Sequence, residues 1–151
     1  MSNKDAARIP EGFRPIPEQD TFIGHVGGFY WRPLDDRMET CVVLARQHAN
    51  PIGIAHGGLL MTLLDITLGA TAQLFIKHRG EGHPATIQLS CSLIAPAREG
   101  ELLQGEARVD QATRTMSFVS GRLHVAGRTV MTGSAVFRNP PSPDRTPARA
   151  S

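Results

Sequence analysis

Residues 50–76 read NPIGIAHGGLLMTLLDITLGATAQLFI, and after Pro51 the run contains no further proline. From Gly57 to Ile76 apolar residues fall on nearly every face, the pattern of a buried helix rather than a surface one. At 1.5 Å per residue such a helix is about 30 Å long. Lys77-His78-Arg79-Gly80 follows, cations and then a glycine, which reads as the helix end. One stripe interrupts the apolar coat: Thr62, Asp65, Gly69 and Gln73 share a face by their +3, +4, +4 spacing. An ionised carboxylate buried in such a helix is costly unless it is paired, hydrogen-bonded or put to use, so Asp65 is a candidate functional group. The helix start, Ala55-His56-Gly57-Gly58, has no Ser, Thr, Asp or Asn at the expected cap position. The first N–H groups of a helix lack internal partners, and glycines let another group approach them closely. That combination suits an anion or a developing oxyanion.

Outward from this stretch, the chain of 151 residues is the size of one domain with its own core. A net charge of +2 gives no argument for nucleic acid, and no Lys/Arg run has interleaved aromatics. Two cysteines, Cys41 and Cys91, lie in apolar runs and read as core filler in a reduced, cytoplasmic protein. The N-terminus lacks an apolar core, so no signal peptide is expected. Asp65 at the centre of the long helix, with strand-like segments on both sides, argues against a membrane span.

Residues 1–20 are polar and hold Pro10, Pro15 and Pro17, which predicts an irregular arm tethered through Phe13 and Ile16. Residues 21–138 form the expected domain. Its first part, 22–34, is rich in glycine and aromatics and pairs with a strand over 38–44 as a hairpin. A loop over 47–51 leads into the helix. Residues 85–94 alternate polar and apolar, the period of a half-buried strand. Further strands are expected over 101–109, 115–125 and 129–137, with a tight turn at Ala126-Gly127-Arg128. Residues 139–151, NPPSPDRTPARAS, hold four prolines and no large apolar residue, which predicts a disordered tail. A hairpin, one long helix and then antiparallel strands make an α+β plan.

Gly57 and Asp65 are eight residues apart, about 12 Å along the helix axis. One carbonyl cannot touch both on the same helix. A two-fold dimer with neighbouring antiparallel helices places the start of one helix against the middle of the other, giving two composite sites.

The pattern Asn50-x5-His56-Gly57-Gly58-x6-Asp65, with Thr86 on the next strand and then Pro96-x3-Gly100, resembles the hotdog-fold acyl-CoA thioesterases. The branch it is most similar to is the phenylacetic-acid-degradation (PaaI-type) group, which includes the mammalian acyl-CoA thioesterase 13-like proteins. The resemblance spans about residues 25–138. It implies an antiparallel sheet wrapped around one long helix, dimers with a continuous sheet, and pairing of dimers into tetramers. It implies hydrolysis of an acyl- or aryl-CoA thioester, with coenzyme A as part of the substrate and no separate cofactor or metal. The family's oxyanion-hole N–H maps to Gly57, its helix carboxylate to Asp65, its loop asparagine to Asn50, its strand hydroxyl to Thr86 and its motif histidine to His56. Gly58 and Thr62, flanking the helix start and the Asp65 stripe, are the substrate-binding candidates.

The residue chemistry fits those roles. A preorganised N–H stabilises the charge that develops on the thioester oxygen. Asp65 either activates water or attacks directly to give an anhydride. Asn50 orients water or substrate, Thr86 hydrogen-bonds the water or Asp65, and His56 fixes the loop. Each has a plainer reading: Asn50 as a turn residue before Pro51, Thr86 as an ordinary strand residue, Gly57 and Gly58 as close-packing positions. His25, His48, His78, His83 and His124 are scattered and expected to be exposed. Lys77, Arg79, Arg98 and Arg138 are candidates for the phosphates of coenzyme A. No GxSxG, GxGxxG or P-loop is present. A non-catalytic acyl-CoA binding module and a hotdog hydratase or dehydratase are the competing functions; the latter relatives carry a catalytic histidine in a differently spaced motif.

Overall fold

The computed structural model describes residues 7–17, 20–79 and 82–141. Its strands are β1 (Arg14–Pro15), β2 (Phe29–Pro33), β3 (Met38–Val43), β4 (Ala85–Leu93), β5 (Leu102–Ala112), β6 (Met116–Val125) and β7 (Arg128–Arg138). They form one seven-stranded sheet in the order β1-β2-β3-β5-β6-β7-β4, every pairing antiparallel. A five-residue helix α1 (Phe22–Val26) precedes β2, and the long helix α2 (Gly57–Ile76) lies between β3 and β4. The chain after α2 runs to the far edge of the sheet, so β3 pairs with β5 and β4 pairs with β7. One helix wrapped by an antiparallel sheet is the hotdog arrangement.

The helix sits where it does because the sheet makes room for it. Leu59, Leu60, Leu63, Leu64, Leu68 and Ala72 are buried against inward residues such as Val42, Leu103, Val119, Leu123, Met131 and Phe137. Each fully buried leucine contributes about 1.5–3 kcal/mol relative to an exposed one. Three glycines lie under the helix on adjacent strands. A Cβ on Gly105 would come within 2.4 Å of Thr67 Oγ1, on Gly121 within 3.0 Å of Leu68, and on Gly133 within 2.7 Å of Leu64. Larger residues there would force the helix off the sheet. Two buried threonines fix its registration: Thr67 Oγ1 lies 2.6 Å from Thr40 Oγ1, and the Met38 N–H donates to Thr71 Oγ1 at 3.1 Å. By length and composition α2 is also apolar enough to cross a membrane. Here its apolar residues pack on the sheet.

Three expectations need correction. The stretch beginning at Phe22 starts as a helix rather than a strand, because Thr21 caps it through Gly24 N–H and Gly27, at φ 75°, ends it. The long helix is not buried all round: Met61 and Phe75 are exposed and Asp65 is half-buried, since the sheet wraps only one side of it. The tail does not begin at residue 139. Asn139 is buried, accepts from Ser117 Oγ at 2.7 Å and donates to Thr113 O at 3.1 Å. The rest of that expectation, from residue 142 onward, lies outside the described residues, as does Gly80.

The arm is tied down in part. Arg14 and Pro15 pair with Trp31 and Tyr30, Ile16 packs against the core, and the Arg32 guanidinium lies 4.5 Å from the Phe13 ring centroid.

Cys41 is fully buried, and burial pushes its thiol up to about 12, with Arg32 opposing and Glu39 adding to the rise. The unfolded chain ionises the same thiol near 9.0, so folding loses free energy as pH rises from there towards 12. In a Cys91→Ser background, native Cys41 is expected to resist a disulfide dye at pH 8 and to react only in denaturant. The thermal midpoint should fall more steeply across the alkaline window than in Cys41→Ala. Rapid labelling of the folded protein would contradict this.

Candidate active site

The approach to α2 is built by backbone pairing. Ala49 and Ala55 bridge across a loop in which the Asn50 N–H donates to Ile54 O at 2.8 Å and the Gly53 N–H to Asn50 O at 3.0 Å. Asn50 Oδ1 accepts from the N–H groups of Ile52 and Ile54, at 3.1 and 3.3 Å. The Asn50 carbonyl oxygen therefore shapes the loop, as its turn reading requires, and only its amide nitrogen is left for another partner. The Ala55 N–H donates to Ala97 O at 2.8 Å and the His56 N–H to His48 O at 2.9 Å, which anchors the last residues before the helix.

His56 is the N-cap of α2, in place of the Ser, Thr, Asp or Asn expected there. Its Nδ1 accepts the Gly58 N–H at 2.9 Å, so the imidazole does what a Ser or Asp side chain usually does. The Leu60 N–H reaches His56 O at 3.1 Å. The Gly57 N–H has no hydrogen-bond partner among the described residues. It stands at the positive end of a 20-residue helix.

Asp65 lies two turns further on. Its Oδ1 accepts from Thr86 Oγ1 at 2.9 Å. Strand alternation alone would place Thr86 on the face away from the helix, with Ala85, Ile87, Leu89, Cys91 and Leu93 inward. A bulge between Thr86 and Gln88 shifts the register, so that Thr86 stands opposite inward-facing Phe137 while Ile87 is left unpaired and 56% exposed. Bulges of this kind re-aim a side chain, and this one turns the threonine hydroxyl to the carboxylate. Beside the pair lies a groove of about 330 Å³ lined by Phe22, Ile23, Met61, Thr62, Ile66 and Leu89, with Asp65 in its wall. Thr62 is committed to the helix backbone, donating to Gly58 O at 2.8 Å.

Within one subunit the candidates thus fall into two groups. Asp65, Thr86 and Thr62 meet at the groove, while His56, Gly57 and Gly58 form the helix start and Asn50 shapes the loop that leads into it. The larger cavity, about 510 Å³, lies on the opposite face of the sheet among Arg37, Glu106, Arg108 and Arg122 and holds none of them. Its charges neutralise one another: Arg122 bonds Glu106 at 2.6 Å and holds that carboxyl below its usual range, and Arg108 pairs with Asp110. Among the described residues no group of three or more His, Cys, Asp or Glu could hold a metal ion.

Two features escaped the sequence. His48, expected to be exposed, is 3% exposed and hydrogen-bonded through both ring nitrogens, and His124 is half-buried. The groove wall formed by α1 was also unforeseen as a helix. The burial of His48 has no local sequence signal, because it depends on which segments the sheet brings together; α1 does have one, with Thr21 as cap and Gly27 as stop.

A family model described as "Thioesterase superfamily" matches residues 52–132. A candidate esterase of Pseudomonas aeruginosa is 36% identical over 135 residues, covering 87% of this chain and 98% of that protein. A candidate thioesterase of Ralstonia eutropha, described as related to phenylacetic acid degradation, is 27% identical with a TM-score of 0.66, covering 83% of this chain and 92% of that one. A Streptococcus pneumoniae protein described as a hypothetical thioesterase with coenzyme A shares the fold at a TM-score of 0.65 and 19% identity, over 76% of this chain and 88% of that one.

Proposed function

The chain belongs to the thioesterase superfamily, as a PaaI-like hotdog thioesterase, and from that membership we propose that it hydrolyses an acyl- or aryl-CoA thioester to the free acid and coenzyme A. The observation that carries the reading is the Asp65 carboxylate at the groove, held by Thr86 through one oxygen. Oδ2 is then the atom that takes a proton. Water, oriented by Asp65 and by the amide nitrogen of Asn50 of the partner subunit, attacks the thioester carbon as Asp65 accepts its proton. The carbonyl oxygen becomes an oxyanion held by the Gly57 N–H of the partner subunit, with the Gly58 backbone close by. The tetrahedral intermediate then expels the coenzyme A thiolate, which takes up a proton. His56 keeps the helix start open by capping Gly58 rather than Gly57.

A second subunit enters the reading for two reasons. The helix rise separates Gly57 from Asp65 by about 12 Å. The sheet also ends at β4, which carries Ile87 56% exposed and Leu93 51% exposed, a long apolar edge of the kind that pairs with another strand. Pairing two β4 strands would continue the sheet and bring the two α2 helices side by side. Dimers pair further into tetramers in this reading, and the enzyme works in the cytoplasm. Lys77, Arg98 and Arg138 are exposed, with no salt-bridge partner among the described residues, and suit the phosphates of coenzyme A. The side chain of Arg79, the fourth candidate, lies outside the described residues.

The test is release of free thiol from acetyl-, hexanoyl-, palmitoyl- and phenylacetyl-CoA, followed with a disulfide dye. Turnover of at least one at a kcat of about 1 s⁻¹ or more is expected. Binding of all four with no thiol release would replace the enzyme by a binding module.

A further inference from the structure

We propose that His48 is a positioning residue that ties the α1 wall of the groove to the peptide carrying the oxyanion-binding N–H, so that one buried imidazole sets both acyl selectivity and turnover. The inference rests on the thioesterase reading above.

His48 ends the 3-10 turn Arg46–His48. Its Nδ1 accepts the Ala45 N–H at 3.0 Å, and its Nε2 lies 3.1 Å from Gly27 O. A carbonyl can only accept, so Nε2 carries the proton and donates, which assigns the neutral Nε2–H tautomer. The His48 carbonyl accepts the His56 N–H at 2.9 Å, which orients the chain one residue before Gly57. The ring stacks on Phe29 with centroids 6.4 Å apart. One side chain and its own peptide therefore touch the end of α1, the core and the start of α2.

The α1 contact matters because it fixes one end of a short helix that otherwise rests on the core through the half-buried Ile23 and Val26. None of its five residues is buried, and Phe22 is 67% exposed. The groove of about 330 Å³ lies against it, and a second cavity of about 230 Å³ lies beside it, lined by Ile16, Ile23, Gly24 and Gly27–Tyr30. Ile23 and Val26 seat its body on the core, and the hydrogen bonds at its C-terminal end add to that hold. Its C-terminal end is Gly27, which donates to Ile23 O at 2.9 Å and receives His48 Nε2–H on its carbonyl. Gly27 and Gly28, at φ 75° and 80°, form a turn that only glycine takes easily. A Cβ on Gly28 would lie 3.3 Å from His48 Cε1. Moving the imidazole moves Gly27, and with it Phe22 and Ile23 relative to Asp65.

Two amide substitutions separate the two arms. In His48→Gln the amide reaches the Nε2 position and keeps the bond to Gly27 O while losing the one from Ala45. In His48→Asn the amide oxygen stays near the Nδ1 position, keeps the Ala45 bond and loses Gly27. Acyl selectivity is read as the affinity ratio of S-octyl- to S-ethyl-coenzyme A thioethers by calorimetry, a measurement that needs no hydrolysis. His48→Asn is expected to lower that ratio by about fivefold, the value of one hydrogen bond, with a smaller fall in kcat on acetyl-CoA than His48→Gln shows. His48→Gln should keep the ratio and lower kcat by about fivefold. Equal losses in both variants at every chain length, in step with a fall in thermal midpoint, would reduce His48 to core packing. Absence of hydrolysis in the wild type would overturn the enzymatic reading and leave the thioether ratio to decide the α1 arm. If neither variant folds, hydrogen exchange on the wild type decides: S-octyl-coenzyme A should protect residues 22–27, 45–48 and 56 together, and protection confined to 22–27 would overturn the link.

Discussion

Asp65→Ala is expected to lower kcat for acyl-CoA hydrolysis by about 10²–10⁴-fold, the usual worth of a positioned general base. The fold should survive the change, because the side chain is half-buried at a groove wall and its hydrogen-bond partner among the described residues is the exposed Thr86. KM should move little, since a general base acts on the water in the transition state rather than on the resting thioester. Asp65→Asn is the sharper variant. Its amide oxygen can still accept from Thr86 Oγ1, so the geometry stays while the base is gone. Thiol release measured at saturating substrate checks both. Turnover within about twofold of wild type in either would sink the assignment. A single turnover in ¹⁸O-labelled water tests direct attack: a solvent oxygen found in Asp65 establishes it, with water opening the anhydride at the Asp65 carbon, whereas general-base action puts solvent oxygen only in the product acid.

Gly57→Pro is expected to cost about 10²–10³ in kcat, the effect of removing one oxyanion donor. Proline is well tolerated at the first residue of a helix, which Gly57 is, because its missing N–H has no helical partner to lose. His56 before it is already extended, at φ −64° and ψ 136°, as a residue preceding proline prefers. A Cβ there meets Leu93 Cδ2 at 3.4 Å, an ordinary contact. The two dead variants then test the shared site together. Asp65→Ala and Gly57→Pro, mixed, unfolded and refolded, should recover about a quarter of wild-type activity: about half of randomly paired dimers are mixed, and each restores one of its two sites. In a mixed dimer the intact pair is Asp65 from one chain and Gly57 from the other. If both groups act within one chain, no mixed dimer holds an intact site and no activity returns.

The long helix was legible from residues 57–76 alone, with the same bounds, because twenty residues without proline and with apolar side chains on most faces have few alternatives. The alternating strands after it and the Ala126-Gly127 turn were legible for the same local reason; both turn residues have positive φ, as a tight hairpin demands. Asp65 stood out because charge within an apolar helix is expensive whatever surrounds it. Its distance from Gly57 along one helix followed from the helix rise. What could not be read locally was each feature set by a partner from another segment. Thr86 faces Asp65 only because a bulge against β7 offsets the strand by one residue, and alternation taken alone points it away. His48 is buried because Gly27 and His56, 21 residues before it and eight after it, converge on it. Gly105, Gly121 and Gly133 are spaced irregularly in the chain, yet the pairing of β5, β6 and β7 aligns them beneath one helix. Propensity and periodicity act over a few neighbouring residues, so the sequence by itself determined the helix, the strands and the costly carboxylate. Register between distant strands is a property of the assembled sheet, and only the tertiary structure decided which hydroxyl, which imidazole and which bare backbone would meet that carboxylate and that helix.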